Sequence, residues 1–131
     1  MLYPVFAMVV LTFLAMFWTL YTRVQAVRQG KMSIGYFRLM QGDAPAAVVK
    51  ASRHFSNLFE LPVLFYIVCM LCHIKNAEDS WQIGLAWLYV VCRCLQAIIH
   101  LGYNNVKHRL AAFALGNFAL LILWLRLIVQ L

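Results

Sequence analysis

The sequence predicts an all-α integral membrane protein, a bundle of four transmembrane helices. Three observations lead there. Hydrophobic residues make up 65% of the 131 and charged residues only 11%, against about 25% charged in soluble domains. Mean hydropathy is high, at +0.81. The apolar residues gather in long runs separated by polar or basic connections, and four spans of about 20 residues fit within the length. This balance excludes a disordered tail and an ordinary soluble domain. The formal net charge of +7 raises the question of nucleic acid. Much of the excess lies beside apolar runs and follows the positive-inside rule, so no nucleic-acid partner is expected. The whole chain, 1–131, reads as one membrane domain.

The first helix is placed at about 2–27. Met1–Thr22 is uncharged and ends at Arg23, long enough to cross a hydrocarbon core of roughly 30 Å. A signal peptide is the competing reading. The positive n-region is missing and no small-x-small site precedes Arg23, so an uncleaved helix with its amino end outside is expected.

Residues 23–43 form a basic connection punctuated by Gly30, Gly35 and Gly42. Asp43 before Pro45 marks a helix start, and the second helix is placed at about 44–74. Its first half is amphipathic and its second, Leu61–Ile74, apolar. Pro62 removes the amide partner of the Leu58 carbonyl, so a kink is expected there. Lys75–Ser80 is a polar turn. The third helix follows at about 81–103, broken by Asn104-Asn105, and the fourth at about 106–131, with Arg126 free to snorkel near its far end. Trp18, Trp81 and Trp124 fall near span ends, as in an aromatic belt. No heptad, tandem repeat or low-complexity tract stands out.

Orientation follows from the Lys/Arg count. Arg23, Arg28, Lys31, Arg38, Lys50, Arg53, Lys107 and Arg109 gather on one side, while Lys75 and Arg126 stand on the other. Both termini are therefore expected outside and the basic connections in the cytoplasm.

Glu60 and Arg93 sit inside otherwise apolar helices. A charge near the bilayer centre costs about 2.5–3.5 kcal/mol on insertion scales, so it normally faces protein or water and has a partner. Counted inward from Lys75 and Trp81, the two lie roughly 22 and 18 Å deep at helical rise, so they could meet in antiparallel neighbours. Around each lies a polar stripe: Arg53, Asn57 and Glu60 on the second helix, Arg93, Gln96, His100 and Tyr103 on the third. One reading is a buried network that holds the helices together. The other, favoured for the set as a whole, is the walls of a cleft open to the cytoplasmic side. Arg109 stands near its mouth. Guanidinium groups pair with carboxylates bidentately and stabilise a developing anion, so a small anionic guest suits this cleft, and a thiol there would be acidified.

The segment Arg53-His-Phe-Ser-Asn57-Leu-Phe-Glu60, with its Arg-x3-Asn-x2-Glu pattern, resembles the second helix of the membrane-associated proteins in eicosanoid and glutathione metabolism, the MAPEG family. Arg93 through Arg109 resembles, without a gap, the end of that family's third helix and the start of its fourth. The run from Asn57 to Tyr66 looks especially like the bacterial branch, which points to a bacterial inner membrane. The resemblance implies a homotrimer of four-helix protomers with glutathione, as co-substrate, held between subunits near the cytoplasmic side. It implies a glutathione site lined by Arg53, Asn57, Glu60, Arg93, Gln96 and His100, with Arg109 stabilising the thiolate. Arg23 matches a further first-helix arginine, and Arg28 is nearly as good a candidate. The implied chemistry is transfer of glutathione to lipophilic electrophiles, or reduction or isomerisation of lipid peroxides. Three positions depart from the pattern: His100 where tyrosine is frequent, Gln96 where the better-known enzymes have His or Tyr, and Leu110 where related prostaglandin synthases have serine. The family also contains a lipid-presenting activating protein, so a non-enzymatic lipid-binding or scaffold protein is the alternative reading. A channel or transporter is more distant, because no pair of broken helices is apparent.

Other motifs carry less. Cys69-Met-Leu-Cys72-His73 matches the haem-attachment pattern CxxCH, but it lies within an apolar helix where Cys and Met are ordinary packing residues. No haem is expected. Cys92 and Cys94 point to different faces and no four-cysteine set is apparent, so no metal is expected either. His54, His73 and His108 read as helix-end histidines.

Overall fold

The computed structural model describes all 131 residues, and every regular element in it is helical. The helices are α1 (Leu2–Arg28), α2 (Tyr36–Leu39), α3 (Ala46–Asn57), α4 (Leu61–Ile74), α5 (Ser80–Leu101) and α6 (Val106–Gln130). Four segments are long and apolar enough to cross a membrane: α1, α3 with α4 taken together, α5 and α6. Large apolar side chains such as Phe6, Phe13, Phe118 and Ile128 stand exposed along them, as lipid-facing positions do.

The second span departs from a simple kink. Three successive amides, of Leu58, Phe59 and Glu60, bond to carbonyls three residues back, and α4 starts afresh at Leu61. Pro62 has no N–H and its ring crowds the carbonyl four residues before it, so the α ladder cannot run through. The tightened turn leaves Glu60 at a break rather than inside a continuous helix. Asp43 does not cap the span: the first helical turn is preceded by Pro45, with no side-chain cap. The basic connection holds a short helix, α2, which sequence periodicity did not suggest.

The packing seams use small residues. Buried positions on α1 include Met8, Ala15, Thr19, Thr22 and Ala26, and the last four step by four, three and four. Thr19 Oγ1 donates to its own helix at Ala15 O (2.8 Å) and lies 3.2 Å from Ala51 O of α3. Close approach of backbones through small residues is how helices associate where no hydrophobic drive separates protein from lipid. The α5–α6 pair shows it best. A Cβ added to Gly116 would lie 3.1 Å from Cys92 Cβ. Gly116→Val is expected to push the pair apart and cost about 1–3 kcal/mol, seen as a lower melting temperature in detergent. Nearby, Phe65 of α4 stacks on Tyr89 of α5 with centroids 4.5 Å apart. Cys69 and Cys72 are fully buried in the same core.

The end opposite the basic connections is laced by polar contacts. Asp79 and Gln82 form a reciprocal capping box at the start of α5. Asp79 also pairs with Arg126 and accepts from Gln130, which in turn accepts from Gln82. Arg126 is therefore tied to the α4–α5 turn rather than snorkelling freely. Glu78 bridges His73 and the Met1 amine. The backbone bond from Gln82 holds the Asp79 carboxyl below its ordinary range; desolvation opposes it, and Arg126 and Gln130 add to the lowering. A carboxylate whose folded pKa is depressed contributes stability above its unfolded pKa and loses it as pH falls through the folded value. Melting temperature is expected to fall on acidification below the ordinary aspartate pKa of about 4. Asp79→Asn keeps a capping side chain and should lower the neutral-pH value while flattening that acid limb.

Candidate functional site

At the basic end, α3, α5 and the start of α6 frame an open cavity of about 620 Å³. The break at Leu58–Glu60 matters here, because Arg53 and Asn57 reach the cavity from α3 and Glu60 from the turn beyond it. Gln96 and His100 come from α5, and Arg109 from the first turn of α6. Met40, Val106, Leu110 and Phe113 add an apolar wall. Two chemically different surfaces thus meet in one space, a polar cationic one and an oily one.

The charges in this cavity take part in no ion pair. All three ion pairs of the protein lie at the opposite end, at Glu78 and Asp79. Neither Arg53 nor Arg109 is in one, and Glu60 is the only carboxylate on the lining. Cations left unpaired in a concave, partly apolar site suit an anionic ligand.

Six of the eight residues that the family resemblance assigns to the site come together here: Arg53, Asn57, Glu60, Gln96, His100 and Arg109. The other two do not line the cavity. Arg93 is only 3% exposed and donates to Tyr89 Oη (3.0 Å), Gln96 Oε1 (3.0 Å) and Asn117 Oδ1 (3.2 Å). It forms no pair with Glu60. The reason is local: the break before α4 resets the helical phase on which a facing pair depends, and neutral oxygens on α5 and α6 already satisfy the guanidinium. Arg93 instead sits behind the cavity and orients Gln96. Arg23 is half-buried, donates to Ser52 Oγ (3.2 Å) and lies 5.3 Å from the Phe37 ring. Ser52 lines the cavity, so Arg23 also acts from behind a wall. Arg28, its alternative, is exposed at the end of α1.

A family model decides the wider relationship: the MAPEG family model matches residues 1–129. The chain belongs to the MAPEG family. No curated protein and no solved structure matches it. With its four apolar helices, this MAPEG protein is an integral, multi-pass membrane protein of the glutathione and eicosanoid metabolism family.

Several residues of the cavity carry little sequence signal. Ser52, Ser56 and Phe113 line the cavity but have no distinctive spacing. Tyr89 lies four residues before Arg93, a signal that helical periodicity offers. Asn117 lies on another helix. His54 does lie in the last turn of α3, as expected, but it is not a surface residue. It is 2% exposed, and its ring meets that of His100 edge to face at 5.6 Å. Both His54 ring nitrogens and Nδ1 of His100 are buried without hydrogen-bond partners. His73 and His108 also lie near helix ends, against Glu78 and Tyr103 respectively. No group of three His, Cys, Asp or Glu side chains is gathered as a metal-ligand set.

Proposed function

We propose that this MAPEG protein is a membrane-bound glutathione-dependent transferase or peroxidase, working as a homotrimer on lipophilic electrophiles or lipid hydroperoxides. The observation that carries the reading is the pair of unpaired arginines, Arg53 and Arg109, facing one cavity with an apolar wall. Glutathione is a small anion with two carboxylates, an ammonium group and a thiol. Arg53 suits a carboxylate, Glu60 the ammonium group, and Asn57 and Gln96 the peptide amides. Arg109 stabilises the thiolate, which favours ionisation of the thiol at neutral pH.

The oily wall then receives the second substrate from lipid. In transfer, the thiolate sulfur forms a bond to the electrophilic carbon and the leaving group departs with its electron pair, or a proton is taken up on addition. In reduction, two glutathione molecules and one hydroperoxide give the alcohol, water and glutathione disulfide. The basic end, with Arg53 and Arg109, faces the cytoplasm of a bacterial inner membrane, where glutathione is available.

The test is thiol-dependent turnover. Purified protein should conjugate a model electrophile such as a halonitrobenzene, or reduce a fatty-acid hydroperoxide, only when glutathione is present. A co-purifying lipid with no glutathione-dependent turnover would overturn the enzyme reading in favour of a lipid-binding protein.

A further inference from the structure

The turn between α5 and α6 contains two adjacent asparagines with different tasks. α5 ends at Leu101, and Gly102 follows because a Cβ there would lie 2.7 Å from the Ile98 carbonyl oxygen. Asn105 serves the next helix: its Oδ1 accepts from the amides of Lys107 and His108, capping α6. Asn104 has no such duty. Its backbone is left-handed, φ +52°, and its amide closes the turn on Ile99 O at 2.7 Å. Glycine meets that backbone requirement at lower cost, so the turn alone does not account for a side chain.

That side chain contacts Arg109. Asn104 Oδ1 accepts from Arg109 Nη1 at 3.1 Å, while the Arg109 backbone amide donates to Asn105 O at 3.0 Å. The two contacts hold both ends of the arginine: the α6 start fixes its backbone and Asn104 fixes its guanidinium. Asn104 itself does not line the cavity. We infer that Asn104 is a positioning residue, one that fixes the Arg109 guanidinium toward the cavity without neutralising it. A carboxylate would make a stronger bond but would also place a negative charge beside the proposed thiolate. An amide oxygen orients and leaves the full positive charge available. The inference rests on the role of Arg109 proposed above.

The experiment uses the full chain in detergent, comparing wild type, Asn104→Gly, Asn104→Asp and Arg109→Ala. Melting temperature, glutathione affinity, kcat with a model electrophile, and the pH titration of bound thiolate by ultraviolet absorbance are read for each. Asn104→Gly keeps the left-handed turn, so its melting temperature should equal or exceed that of wild type. Its kcat should fall about tenfold to a hundredfold, as a misplaced group at a reacting centre does, and its thiolate titration should move to higher pH. Asn104→Asp should keep the turn and the hydrogen bond yet also move the titration to higher pH. Wild-type kcat and titration in Asn104→Gly, beside their loss in Arg109→Ala, would overturn the positioning role alone. A fall in kcat matched by a fall in melting temperature would assign Asn104 to the turn only. Unchanged titration and turnover in Arg109→Ala would overturn the role of Arg109, and with it this inference.

Discussion

Arg109→Ala is expected to lower glutathione-dependent turnover about a hundredfold or more, the scale on which losing one preorganised donor to a developing or stabilised anion acts. Glutathione affinity should change far less, because Arg53, Asn57, Glu60 and Gln96 remain on the cavity wall. The predicted signature is therefore a fall in kcat with little rise in KM, since the interaction lost is stronger with thiolate than with thiol. Arg109→Lys should recover part of the rate, as a point charge without the planar fork. Steady-state kinetics with a soluble model electrophile check this, and an equal loss in binding and turnover would assign Arg109 to holding glutathione instead.

Arg93→Ala is expected to act on the fold. Its guanidinium satisfies Tyr89, Gln96 and Asn117 in a buried setting, and it lies over the Tyr89 and Phe113 rings at 5.1 and 5.4 Å. Removing it strands oxygens on two helices and empties space between α5 and α6, while relieving the cost of burying a charge. The net loss should be about 2–4 kcal/mol, measured by thermal or chemical denaturation in detergent. Arg53→Ala, by contrast, removes an exposed side chain and should leave melting temperature nearly unchanged while weakening glutathione binding. The two arginines look equivalent as charges in the sequence. Their surroundings separate them.

That contrast shows how far the sequence is legible. Span number, the basic end and the gathering of Arg53, Asn57, Glu60, Gln96, His100 and Arg109 follow from hydropathy, charge and helical spacing, because all three are local properties. The Glu60–Arg93 pair fails because it depends on phase across Pro62, where a full break replaces a bend. The α1 seam through Ala15, Thr19, Thr22 and Ala26 escapes a search for heptads, since such a search weighs large apolar residues and this seam is made of small ones. His54 lies next to Arg53 in sequence, yet its burial against His100 is set by how α3 meets α5. Asn104 reads as a turn residue, and only side-chain geometry links it to Arg109.

The central claim is that the cationic cavity holds glutathione, and calorimetric titration of the purified wild-type protein with reduced glutathione tests it most directly. A saturable isotherm, weakened in Arg53→Ala at unchanged melting temperature, is the predicted result. A folded wild-type protein that releases or absorbs no saturable heat with glutathione would contradict it.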